Sequence, residues 1–271
     1  VYAATGTSSL SNLVIRQNTA STSGGGLYAT GSLTLAGATI KGNQANGTAN
    51  TTGGGGIFIN DGTLTFATTA SYIGLVNEGN TAKNGAGLYI GKLSSSKMAT
   101  VTFTVAPTIG YNVASGNGGG IYDSTSNDIT YPSGLSLTDN SAGNGGGLYK
   151  VLSNTATLNG VSLLRNTATN NGGGIYVKAG TTTLNGLSVV NNTASNNGGG
   201  LAVYGGTLEF ASGTNTIGGS SANKNEAKNG AGIYVYGGTV NFDVAPTISY
   251  NTASTDGGGI YTKVAMTMPS G

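Results

Sequence analysis

The chain has no cysteine, no histidine and no tryptophan, and only 7% of its 271 residues are charged. Without cysteine there are no disulfides, no thiol nucleophile and no thiolate metal site, and the redox compartment stays open. The 11 basic and 9 acidic groups leave a formal charge of +2. They fall singly along the chain from Arg16 to Lys263, which excludes a nucleic-acid binder driven by clustered phosphate contacts. No apolar run approaches the roughly 18 residues of a transmembrane helix, and no segment reads as a secretory signal. Phe, Tyr and Trp together make up 7%, too few for a core built on large rings. What remains is 37% hydrophobic and otherwise rich in Gly, Ser, Thr and Asn, a composition expected of an ordered, uncharged, β-rich chain rather than a disordered one. Because it begins at Val1, it is expected to be a mature chain or part of a longer array.

What is present is a repeat. Aligning on asparagine gives one template: an aliphatic residue, two residues, Asn, one residue, Ala, a variable stretch, Gly-small-Gly, then Leu or Ile and an aromatic. The asparagines are Asn18, Asn43, Asn80, Asn112, Asn140, Asn166, Asn192, Asn225 and Asn251, spaced by 25, 37, 32, 28, 26, 26, 33 and 26 residues. The unit is therefore about 26 residues with insertions. A longer period overlies it: "AKNGAGLY" near Asn80 returns as "AKNGAGIY" near Asn225, and "VAPTIGYN" at Asn112 as "VAPTISYN" at Asn251. Both pairs lie five units apart, the mark of a copied block.

Within a unit, stretches such as "SLTLAGATI" and "TTTLNGLSVV" alternate with period two and are bounded by Gly, Asn and Ser. They predict three short strands per unit and no helix. Strands this short, repeated at coil length, predict a parallel β-solenoid of about nine to ten coils, on the order of 43 Å long at ~4.8 Å per coil. The whole chain, 1–271, is read as a single repeat domain.

Each repeated position has an expected role. In a stack, an asparagine amide can donate to its copy on one side and accept from the other, so the nine are read as a structural ladder. The Ala two residues on, as in Ala20 and Ala168, fits a tight inward corner. A phosphate-binding loop would need Lys and Ser/Thr after the glycines and a helix to follow, yet Ile-Tyr and more strand follow here. The glycines are therefore read as a corner, with the middle one replaceable because Ala86 and Ala231 occupy it. On the strand that follows, the aliphatic residue points in and its aromatic neighbour out. Tyr28, Phe58, Tyr89, Tyr122, Tyr149, Tyr176, Tyr234 and Tyr261 are thus expected to form an exposed stripe, broken at Ala202 with Tyr204 two residues on. Stiffening of one face, or sugar and partner binding, are its two readings.

The Ile15-x-x-Asn18, Ile40-x-x-Asn43, Ile109-x-x-Asn112, Leu137-x-x-Asn140, Leu163-x-x-Asn166, Val189-x-x-Asn192 and Ile248-x-x-Asn251 motifs, with their glycine segments, resemble the polymorphic outer-membrane-protein repeats of autotransported adhesins. More broadly they resemble right-handed parallel β-helix proteins of microbial surfaces. The units depart from that family in carrying Ile, Leu or Val where it usually has Phe, and Gly where it has Ala before the aliphatic. The resemblance implies an all-β, right-handed parallel β-helix on the cell surface or outside the cell.

The function expected is a structural or adhesive rod, without catalysis or cofactor. Its expected partners are further coils of its own chain or of a neighbour, stacked end to end, and a surface glycan or a host or matrix ligand. Two alternatives come from other classes. A carbohydrate-active β-helix would need paired carboxyls or a base with calcium, and only Asp123 and Asp128 lie close in sequence, in what reads as a solvated loop. An ice-binding solenoid would display threonine rows through Thr34, Thr65 and Thr102, but Glu209 and Asn241 interrupt them.

Overall fold

A computed structural model describes residues 1–3, 6–94 and 97–266; for 92–97 only the backbone is considered where it is described. Every described element is a strand, and four short strands make each full coil. Three of the four lie where the alternation places them. The fourth follows the ladder asparagine and in five of nine coils is only two residues long, as in Thr193–Ala194, too short to show alternation.

The coils stack in parallel, each strand pairing with its copy in the next coil. The tyrosine sheet has ten strands, from Tyr2–Ala3 to Ile260–Thr262. An isoleucine sheet, from Val14–Arg16 to Thr247–Ser249, and an alanine sheet, from Thr19–Ala20 to Thr252–Asp256, have nine each. The threonine wall between the tyrosine and isoleucine sheets is split. Thr7–Ser11 to Thr100–Phe103 form a four-stranded sheet and Ile129–Tyr131 to Thr239–Phe242 a five-stranded one. An antiparallel pair, Lys92–Ser94 with Lys97–Met98, is inserted just before the split.

Register explains the core. Ile15, Ile40, Ile73, Ile109, Leu137, Leu163, Val189, Ile217 and Ile248 align into one column along the isoleucine sheet. Columns such as this and Leu27 to Ile233 fill the tube, and each buried aliphatic contributes about 1.5–3 kcal/mol. The two units that lack the Ile-x-x-Asn spacing have extra residues between Ile73 and Asn80 and between Ile217 and Asn225. These loop out while the asparagines stay in line. These insertions leave the stacking surface in place.

The glycine corner is tighter than its sequence suggests. The first glycine of each triplet adopts the left-handed conformation, φ 66° at Gly172, where a side chain would be strained. The third lies against the next coil, and a Cβ on Gly174 would come within 2.6 Å of the Gly200 carbonyl oxygen. Gly173 has an ordinary φ, but a Cβ there would collide with the backbone oxygens of Gly199 and Thr193. The middle position is therefore not replaceable in this coil. Ala86 and Ala231 fit, fully buried, in the alanine clusters of their own coils.

Candidate functional site

The longest polar feature is the column of nine asparagines, seven of them buried. Each amide donates Nδ2–H to Oδ1 of its copy in the following coil, from Asn18 to Asn43 at 2.9 Å through to Asn225 to Asn251 at 2.9 Å. Asn166 shows the full pattern. Its Nδ2 donates to Asn192 Oδ1 (3.0 Å) and to the Leu137 carbonyl (2.8 Å), and its Oδ1 accepts from Asn140 Nδ2 and Asn140 N (both 3.1 Å). Two donors and two acceptor sites are all filled, at 0% exposure. The seven inner amides, Asn43 to Asn225, are buried and committed to this column, whereas Asn18 is exposed and Asn251 half-buried at its ends.

A second column, missed in the sequence, runs beside the first glycines: Asn84, Asn117, Asn144, Asn171, Asn197 and Asn229. Here the higher coil donates to the lower, as in Asn144 to Asn117 (2.9 Å), Asn171 to Asn144 (3.1 Å), Asn197 to Asn171 (2.9 Å) and Asn229 to Asn197 (3.0 Å). The signal was Asn before Gly in six of nine units, obscured by Ser23, Gly53 and Asp256 in the others.

The aromatic residues do form a continuous stripe, but it is not exposed. Phe58, Tyr89, Tyr122, Tyr149 and Tyr234 are 3–8% accessible, and Tyr28, Tyr176 and Tyr261 are half-buried. The rings stack face on face along the rod, with centroids 4.5 Å apart for Phe58 and Tyr89 and 4.8 Å for Tyr149 and Tyr176. Turns before the glycines cover one flank, and Asn60 and Ser124 line the groove beside Tyr28, Phe58 and Tyr89. Burial pushes the Tyr149 phenol up to about 12 and raises Tyr89 and Tyr122 as well. Since both faces of an inner ring touch other rings, no face is open for a sugar to stack on. The expected exposed stripe is corrected to a stacked spine. At Ala202 the gap is filled by Tyr204, whose ring lies 4.9 Å from Tyr176 and 5.2 Å from Tyr236. Its hydroxyl donates to Asn171 Oδ1 (3.0 Å) and accepts from Asn197 Nδ2 (3.2 Å), tying spine to second column.

The two carboxyls of the enzyme alternative lie in different environments, though both act on the charge of Lys150. Asp123 is fully buried, with Oδ1 accepting from Thr125 N, whereas Asp128 is exposed and accepts from Thr155 N at 2.6 Å. The loop is thus not uniformly solvated, as its composition suggests. Among the described residues no three acidic, His or Cys groups converge as metal ligands. The threonine rows of the ice-binding alternative are in register within each half, Thr34 with Thr65 and Thr65 with Thr102, but the sheet that carries them ends at Phe103.

The open surface holds two equivalent hollows on the alanine sheet. One is lined by Gln44, Ala45, Thr81, Ala82, Lys83 and Ser115, the other by Thr193, Ala194, Glu226, Ala227, Lys228 and Ser254. Counted from the ladder asparagines, these six positions correspond across five coils, with Gln44 matched by Thr193 and Thr81 by Glu226, while the first hollow is also lined by Val113. Among the described residues neither Lys83 nor Lys228 is in an ion pair, while Lys224 pairs with Glu226 at 2.7 Å beside the second hollow.

Three segments, 12–30, 152–178 and 247–263, match the Chlamydia polymorphic membrane protein repeat. Each runs through a ladder asparagine (Asn18, Asn166, Asn251), a glycine corner and the aromatic after it (Tyr28, Tyr176, Tyr261). Comparison with curated proteins and with solved structures gave no match. Among the described residues no helix is long and apolar enough to cross a membrane. The corners and the stacked spine, taken with these matches, make the chain a parallel β-solenoid that resembles surface proteins built on the polymorphic membrane protein repeat.

Proposed function

We propose that the chain is a rod of a microbial surface protein, outside the cell, that holds glycans or matrix molecules on its alanine-sheet face without catalysis. The observation that carries this reading is the duplicated hollow. Each copy has an alanine floor and one lysine among mainly polar side chains, with Val113 added in the first and Glu226, paired with Lys224, in the second, a combination suited to a largely uncharged polar polymer. Five coils at ~4.8 Å set the two hollows roughly 24 Å apart along the rod. A polymer long enough to span both gains from effective concentration, so each hollow alone needs only weak affinity.

The outermost strands of each sheet, such as Thr7–Ser11 and Thr252–Asp256, are paired on one side only. We extend the proposal to further coils stacking there, from the same chain or from a second copy. Electron microscopy of the purified chain is expected to show concentration-dependent end-to-end rods, and dispersed short rods at every concentration would overturn that part. For the binding face, a glycan and matrix panel is expected to give ligands whose binding falls about 10- to 100-fold in Lys83→Ala or Lys228→Ala and vanishes in the double variant. Binding unchanged in the double variant would refute the assignment of this face.

A further inference from the structure

The inward third position of the tyrosine-sheet strands is aliphatic at Ala29, Ile59, Ile90, Val177, Val203 and Val235, each at most 1% exposed. Two successive coils break that column: Asp123 is in register with Lys150, and both are fully buried. Desolvating two such ions costs several kcal/mol each, and a well-packed aliphatic pair would commonly be no less stable. Stability therefore gives no account of why these two charges stand in an otherwise apolar column.

Between them lies Asn154, 5% exposed. Its carboxamide oxygen accepts from Lys150 Nζ at 2.7 Å, and its Nδ2 donates to the Asn127 carbonyl at 2.8 Å and to Asp123 Oδ2 at 3.4 Å. Lys150 Nζ also reaches the carbonyls of Leu152 (2.7 Å) and Ala179 (3.2 Å). An amine thus sits at the oxygen side of an amide, and a carboxyl at the nitrogen that would leave. Close by, the Tyr131 hydroxyl is buried without a hydrogen-bond partner, and burial, followed by the charge of Asp123, raises its pKa.

We propose that Lys150 and Asn154 join in an intramolecular isopeptide bond, with Asp123 carrying the proton. Neutral Nζ attacks Asn154 Cγ, forming the Nζ–Cγ bond. Protonated Asp123 gives its proton to Nδ2, the Cγ–Nδ2 bond breaks, and ammonia leaves. A proton from Nζ returns to Asp123. The sum is amine plus carboxamide giving a secondary amide plus ammonia, with nothing oxidised or reduced and no co-reactant. The environment shifts both groups in the reactive direction. Burial pushes the Asp123 carboxyl up to about 6 and the Lys150 ammonium down to about 8, each toward its neutral form. The bond would staple the end of the tyrosine strand Leu148–Lys150 to the start of the threonine strand Thr155–Asn159, beside the split in the threonine wall.

The test is the intact mass of the full chain. One ammonia lost, about 17 Da below the sequence mass, is expected, with trypsin no longer cutting after Lys150. The full sequence mass would overturn the proposal, and so would a loss of about 18 Da, which would join Lys150 to Asp123 with release of water. A succinimide at Asn154 loses the same ammonia but needs no lysine. Lys150→Arg is therefore expected to restore the ammonia, and a loss that persists in this variant and opens in mild base would refute the isopeptide bond. Asp123→Asn is expected to show the full mass, and ammonia loss in that variant would overturn the role given to Asp123.

Discussion

The two asparagine columns are made of the same amide, stacked in the same coils, and point in opposite directions. In the deep column the lower coil donates to the higher; in the one beside the glycines the higher donates to the lower. The backbone accounts for the first direction. Asn166 Nδ2 is held by the Leu137 carbonyl and its Oδ1 by the Asn140 N–H, so the amide cannot be turned over without losing both. Asn171 has no such anchor. Its partners are side chains, Asn144, Asn197 and Tyr204, and it is half-buried. Burial and backbone contact, rather than the ladder as such, should therefore decide what each column contributes, and the opposed amide dipoles partly offset along the rod.

The comparison breaks most sharply at Asn166. Asn166→Asp is expected to be the most damaging change at pH 7, because it sets a carboxylate oxygen against the Leu137 carbonyl and Asn192 Oδ1 in a dry site. Burial would raise the folded-state pKa of that acid above its unfolded value near 4. The acid is protonated in both states at low pH, so the penalty is small there and grows as pH rises through that value. Urea unfolding at pH 4 and pH 7 checks the sign. Asn166→Ala is expected to cost about 3–5 kcal/mol, since it leaves Asn140 without its acceptor and the Leu137 carbonyl without its donor. A loss below about 1 kcal/mol would mean that water or a shifted coil takes over these bonds.

Asn171→Ala is the matched change in the other column. Its neighbours keep access to solvent, so about 1 kcal/mol is expected by the same measurement, with the tyrosine stack intact in near-ultraviolet circular dichroism. Equal losses would refute the view that backbone anchoring separates Asn166 from Asn171; Asn84, at the start of the second column, is itself anchored to the Asn50 and Thr52 carbonyls.

The same contrast explains what could be read from the sequence. The deep column is legible because a fully anchored asparagine has no substitute, so all nine units keep it and the Ala two residues on. The other column tolerates Ser23, Gly53 and Asp256, and without strict repetition it dissolves into an apparently variable approach. Alternation also tells which side of a strand Tyr122 occupies but not what covers that side. Burial of the spine comes from ring-on-ring packing and flanking turns contributed by other coils. Asp123 and Lys150 are 27 residues apart and meet only through register. Reading down the third position after each glycine triplet would have exposed them as two charges in an aliphatic column.

Tyr204 tests how far the second column and the spine depend on each other. Its ring fills the place left by Ala202, while its hydroxyl bridges Asn171 and Asn197. Tyr204→Phe keeps the ring and removes only the bridge, so a loss of about 0.5–1 kcal/mol is expected, the smallest of the series. If the bridge is what Asn171 chiefly supports, the loss in Asn171→Ala/Tyr204→Phe should be less than the sum of the single losses, by about 0.5 kcal/mol or more. Strict additivity would show instead that Asn171 acts through Asn144 and Asn197 alone. The spine and the second column would then be independent structures that merely share a corner.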